Sequence, residues 1–167
     1  MRLYLVRHGI AFDRDPARWP DDAARPLTAR GVRRFRRTAR GLRRLAPTID
    51  VLLTSPFERT LATAMLLRDV AGWPRPVPAA GLGAGAGVEQ QLAALTAHAD
   101  VQVLAAVGHE PHMHELASLL LTGDAAAVQS FWRKGAVAAI ELPRGPLPGT
   151  GTLLWFLQPD ALRRIGR

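Results

Sequence analysis

The chain has 167 residues, 48% of them hydrophobic and 22% charged, enough for a single domain over residues 1–167 with one buried core and too apolar for wholesale disorder. No apolar run reaches the roughly 18 to 20 residues of a membrane-crossing helix, and the N-terminal run is broken by Arg7 and His8. Neither a membrane span nor a signal peptide is therefore expected, and the cytoplasm is the expected location. The net charge of +8 comes with no cysteine, which removes disulfides, thiolate nucleophiles and thiolate metal sites. Arginine supplies 21 of the 22 basic residues, and 13 arginines fall within the first 50 residues against five acids, so one region of the surface should attract anions.

In chain order, residues 2–7 predict a buried strand, ending in Arg7, His8 and Gly9. The polar, proline-broken "DRDPARWPDDAARP" predicts a loop. Thr28 is the expected N-cap of a helix reaching about Leu45, with Val32, Phe35, Ala39 and Leu42 forming its apolar stripe and arginines crowding the other faces. "IDVLLTS" reads as a second buried strand. "PFERTLATAMLLRDVAG" reads as the helix leaving it, capped by Ser55 and started by Pro56. "VPAA" predicts a short third strand and "VEQQLAALTAH" a third helix. "VQVLAAVG" is the clearest strand in the chain, followed by a helix over "PHMHELASLLLTG" that Gly123 ends. "GAVAAIELP" and "GTLLWFLQP" predict a closing hairpin. Strands alternating with helices imply an α/β sandwich of three layers, its central sheet mostly parallel with an antiparallel component, and helices on both faces.

In such a sheet the chemistry belongs at the carboxyl ends of the strands. Three segments carry polar residues there: "RHG", "TSPFERT" and "GHEPHMH". If their strands are neighbours, Arg7, His8, Arg59 and His109 converge, and two arginines with two histidines around one cleft describe a phosphate pocket.

The motifs "LVRHG", "RPLTARG", "LLTSPFERTLATA" and "AAVGHEP", in this order over roughly residues 2–120, resemble those of the histidine phosphatase superfamily, and most resemble its short SixA-type branch. The resemblance implies a two-step phosphoryl transfer without metal or cofactor. His8 would be the nucleophile, Arg7 and Arg59 would clamp the phosphoryl oxygens, and His109 would complete the pocket. Gly9 and Ser55 are added as candidate phosphate-binding positions. A neutral imidazole attacks phosphorus when one ring nitrogen is held as a donor, a task for a carbonyl near Gly9. Guanidiniums meet the three equatorial oxygens of the transition state with paired donors.

Two competing motifs are weighed against this reading. His109, His112 and His114, with Glu110 and Glu115, crowd one stretch but lack the spacing of known metal-binding motifs, so no metal is expected. "GLGAGA" at residues 81–86 formally fits a dinucleotide fingerprint, but the acid about twenty residues on, Asp100, precedes a strand where the fingerprint needs one at a strand end, and a flexible loop is the expected structure.

Many superfamily members carry a glutamate that protonates the leaving oxygen just past the third strand, whereas "PVPAAGLGAGAG" holds no carboxylate; the SixA-type branch is similar in this respect. Asp13, Glu89, Glu110 and His112 are the remaining candidates. Without an acid, phosphohistidine or an aryl phosphate is the better expected substrate, because an alkoxide leaves poorly unprotonated. The expected partner is accordingly a phosphorylated protein, such as a histidine-phosphotransfer domain, or a small phosphorylated substrate, acted on by a monomer. A catalytically weak phosphate-binding module is the alternative. Nucleic acid is not expected, since the arginine-rich helix lacks interleaved aromatics.

Overall fold

The computed structural model describes all 167 residues. Six strands form one sheet in the order β3-β2-β4-β1-β5-β6. They are β1 (Arg2–Arg7), β2 (Val51–Thr54), β3 (Pro76–Pro78), β4 (Val103–Gly108), β5 (Val137–Glu141) and β6 (Thr152–Leu157). β3, β2, β4 and β1 are parallel, and β5 and β6 add antiparallel at the β1 edge. This is the three-layer α/β sandwich the alternating pattern implied. No helix is long and apolar enough to cross a membrane.

The helices are α1 (Ala29–Leu45), α2 (Glu58–Leu66), α3 (Val88–Thr96), α4 (His112–Thr122) and α5 (Pro159–Ile165). Strand side chains alternate between two cores. Tyr4 and Val6 of β1 and Ala105 and Val107 of β4 meet Phe35, Ala39 and Leu42 of α1 with Leu162 of α5 on one face. Leu3, Leu5, Leu104 and Ala106 meet Leu95 of α3 and Leu116 and Leu120 of α4 on the other. Each leucine so buried contributes about 1.5–3 kcal/mol. Prolines at 76 and 78 blunt the β3 edge by removing donors from it.

Thr28 caps α1 as expected, its hydroxyl accepting from Gly31 N at 2.9 Å. Val32, at the margin of the predicted stripe, is only half-buried. The start of α2 differs from the sequence reading: the helix begins at Glu58, with Phe57 as its N-cap, so Ser55 and Pro56 precede it. The reason is that Ser55 Oγ is engaged by His109 at 2.8 Å and lies 3.4 Å from Phe57 N, a poor capping distance. The chain past Leu66 continues as one π-type turn, Leu67–Ala71.

α5 was not predicted. It lies against α1 where Gly41 allows the closest approach: a Cβ there would stand 2.1 Å from Leu162 O. Gly41→Ala must therefore push two backbones apart, and a loss of about 1–3 kcal/mol or more is expected as a lowered denaturation midpoint. An unchanged midpoint would show that the α1–α5 contact yields without cost.

Candidate active site

The register of the sheet places the site. Arg7 pairs with Gly108 across β1 and β4, and Thr54 pairs with Val107 across β2 and β4. Two further bonds extend these ladders past the strands, His8 N to Gly108 O at 3.1 Å and Ser55 N to Val107 O at 3.0 Å. Residues 7–8, 55–59 and 108–109 thus meet at the carboxyl ends of three adjacent strands.

His8 is buried, and its Nδ1–H donates to Gly9 O at 2.7 Å. That bond assigns the proton to Nδ1 and leaves the Nε2 lone pair free. Gly9 N–H is itself held by Thr63 Oγ1 at 3.0 Å, while the Thr63 hydroxyl donates to Arg59 O at 2.6 Å. Gly9 therefore acts on the site through its carbonyl, which aims the His8 ring, and its N–H is already occupied.

Arg59 is only 3% exposed. Its Nη1 donates to Asp22 O at 2.8 Å, its Nη2 pairs with Asp22 Oδ2 at 3.0 Å, and the Phe57 ring lies under its Cζ at 4.9 Å. Asp22 is shared with Arg25 at 2.8 Å, and the Arg25 guanidinium holds its carboxyl below the usual range. Arg7 is half-buried and donates to Trp132 O. Its backbone is tied to the same segment, Arg7 N to Ala136 O at 3.0 Å and Gly135 N to Arg7 O at 3.1 Å. Gly135 has φ +90°, a conformation that costs other residues about a kilocalorie or more.

His109 packs edge-on against both the His8 ring, at 5.3 Å, and the Phe57 ring, at 5.0 Å. Its Nε2 meets Ser55 Oγ, so Ser55 lies behind the histidine and positions it. Arg7 Nε, Arg59 Nε and His109 Nδ1 are buried nitrogens without a partner in the protein. A phosphoryl group is the anion that would satisfy such donors.

Burial lowers the His8 pKa well below its ordinary value, with His109, Arg59 and Arg7 pushing the same way. His109 is lowered to about 3, by burial first and then by Arg59. Both rings are therefore neutral at pH 7. The unfolded chain takes up protons near pH 6.5 that the folded chain refuses, so the stability they confer is full above 6.5 and lost as pH falls below it. Each costs about 1.4 kcal/mol per pH unit in that window. The wild-type melting temperature is expected to fall from pH 6.5 to 4.5 more steeply than that of His109→Gln; parallel profiles would contradict the assignment.

Gly108 has an ordinary φ, and what its missing Cβ makes room for is Met113, whose Cε would lie 2.5 Å from a Cβ at this position. The clustered histidines diverge: His114 Nδ1 pairs with Glu110 Oε2 at 3.0 Å, and no three His, Asp or Glu side chains gather at metal-binding geometry. Of the candidate proton donors, Asp13 and Glu89 are exposed. Glu110 is half-buried with Oε1 unpartnered, and burial raises its pKa while His114 and Arg7 oppose the rise. His112 has a buried Nδ1 without a partner and lies near enough to His109 to disfavour its protonation. Asp22, Phe57, Thr63 and Trp132 escaped sequence reasoning. Thr63, one helical turn past Arg59, was the one whose spacing offered a signal.

An aimed neutral histidine, two guanidiniums with open donor positions and a second buried histidine form a pocket suited to a phosphoryl group at the edge of an α/β sheet. The chain belongs to the histidine phosphatase superfamily, whose branch 1 family model matches residues 3–82. An uncharacterized protein of a Picosynechococcus strain is 36% identical over 127 residues, 74% of this chain and 75% of that one. Among solved structures, the protein histidine phosphatase SixA complexed with tungstate superposes with a TM-score of 0.83 at 25% identity, covering 97% of this chain and 99% of that one. The alpha-ribazole phosphatase of Shigella flexneri shares the fold at a TM-score of 0.69 and 20% identity, with 95% and 97% covered.

Proposed function

We propose that the protein removes phosphate from phosphohistidine in proteins through a covalent phosphohistidine on His8. The observation that carries this reading is the 2.7 Å bond from His8 Nδ1–H to Gly9 O on a buried, neutral ring. It leaves Nε2 as a nucleophile with no proton to lose. In the first step the His8 Nε2–P bond forms as the P–N bond of the substrate breaks. Arg7, Arg59 and His109 hold the equatorial oxygens. The substrate imidazole, protonated on its far nitrogen by water, leaves as a neutral ring. In the second step water attacks phosphorus, the Nε2–P bond breaks, and inorganic phosphate departs with the proton balance returned to solvent. The likeness to SixA supports phosphohistidine as substrate.

Glu110 favours a second reading, hydrolysis of small phosphorylated metabolites. A carboxyl whose pKa is raised by burial, close enough to feel Arg7, is suited to protonating an alkoxide. Relative kcat/KM values on phosphohistidine, p-nitrophenyl phosphate and phosphoserine separate the two. On the first reading phosphohistidine exceeds phosphoserine by about 10²-fold or more, and Glu110→Gln leaves phosphohistidine turnover within a few-fold. Comparable turnover of phosphoserine, lost by about 10²-fold or more in Glu110→Gln, would establish the second reading instead.

A further inference from the structure

The arginines of α1 leave the catalytic centre unexplained on one side. Arg30, Arg33, Arg36, Arg37 and Arg40 are exposed, and Arg34 is the one α1 arginine in an ion pair. Gly41 and Gly166 bring α5 close beside this face, since a Cβ at either would stand within 2.6 Å of backbone from the opposite segment. The approach sets Arg163, Arg164 and Arg167 opposite α1 and encloses a cavity of about 480 Å³ lined by no hydrophobic residue. A second cavity, of about 360 Å³ and lined by five arginines, adjoins it through Arg37 and Arg163. Asp160 is the one acidic side chain lining either cavity, and it is already divided among Arg34 at 3.6 Å, Arg133 at 3.1 Å and Arg163.

The groove continues to Arg7 at the edge of the catalytic centre. A third cavity, of about 440 Å³, shares Arg34 and Arg163 with it and is also lined by Arg7, Lys134 and Phe131. Phe131 is 75% exposed. Residues 30 to 40 of a helix span about 15 Å, so their charges lie within about one to two screening lengths of each other and sum.

We infer that this trough docks the acidic face of a protein substrate, with Phe131 as an apolar anchor beside the catalytic pocket. The inference rests on the phosphatase reading of that pocket and adds its class of partner. Charge complementarity argues for an acidic occupant: eight arginines line the first two cavities against one carboxylate. The pairing of an exposed aromatic with arginines is the composition of protein-recognition surfaces. One lone aromatic lining the groove offers no succession of stacking platforms for bases.

The test reads binding without turnover, so that its failure is separate from failure of the phosphatase reading. The probes are a fluorescent peptide of about twelve residues, rich in Asp and Glu with one Leu, a Ser/Gly peptide of equal length, and a single-stranded oligonucleotide of equal charge. Anisotropy titrations are run at about 0.05 M and 0.5 M salt on wild type, on Arg37→Glu/Arg40→Glu/Arg164→Glu and on Phe131→Ser. The acidic peptide is expected to bind wild type at least about tenfold more tightly than the Ser/Gly peptide at low salt, and the preference should vanish at high salt and in the triple variant. Phe131→Ser should weaken it about threefold or more. Wild type and triple variant should turn over p-nitrophenyl phosphate alike. Equal binding of the two peptides, a preference that survives charge reversal, or tighter binding of the oligonucleotide than of the acidic peptide would each overturn the proposal.

Discussion

His8→Ala is expected to abolish turnover of p-nitrophenyl phosphate, a loss of about 10⁴-fold or more in kcat, and with it an acid-labile, base-stable phosphoenzyme formed by the wild type without added metal. The expectation follows from what the ring does rather than from its position in a motif. Its Nδ1–H is spent on Gly9 O, and Nε2 is the atom left to form the bond to phosphorus. Alanine removes that atom, leaves the Gly9 carbonyl without its donor and keeps both guanidiniums. Phosphate binding should therefore persist while chemistry stops. Folding is checked by the melting temperature, because the removed ring was buried. His8→Asn, whose amide is able to donate to the same carbonyl, provides the better-packed control and should be equally inactive. Turnover within tenfold of wild type in either variant would rule out a covalent route through this residue.

Arg59→Ala is expected to lower kcat/KM by about 10²- to 10³-fold or more, the loss seen when even a neutral hydrogen-bond donor is taken from a transition-state pocket. Arg59→Lys should recover only a small part of it. The guanidinium uses two nitrogens on Asp22 and has a buried Nε without a partner, while its face rests on Phe57. An ammonium has no planar fork to divide between a carboxylate and a phosphoryl group. Asp22→Asn, which keeps the backbone carbonyl but removes the charge, should cost less, and should raise KM and the inhibition constant for inorganic phosphate more than it lowers kcat. A lysine variant with wild-type kcat/KM would show that the position needs charge alone.

Much of this site was legible in the sequence. Strands buried on both faces must be near-continuously apolar, so "LYLV", "VLL" and "VLAAV" announced themselves, and each ended in polar residues with no reason to be there except the site. Arg7, His8, Arg59 and His109 follow from that logic once β1, β4 and β2 are adjacent. What was hidden depended on tertiary contact. Asp22 lies in a polar loop, 37 residues before the arginine it orients, and no local period links them. Ser55 followed by proline carries an ordinary helix-start signal, and a histidine from another strand diverted its hydroxyl. α5 is seven residues long, too short to show a period, and its proline read as the end of a strand although it is the first residue of the helix.

The last third of the chain carries none of the four motifs, yet Arg7 is tied to it three times, through Trp132 O, Gly135 N and Ala136 O. A chimera that kept residues 1–120 and exchanged the remainder for that of another superfamily member would keep His8 and inherit a differently seated Arg7. The seating of Arg7 is thus a heritable trait of the C-terminal hairpin and its approach, and sequence drift there is free only to the extent that it preserves one carbonyl and one reversed glycine.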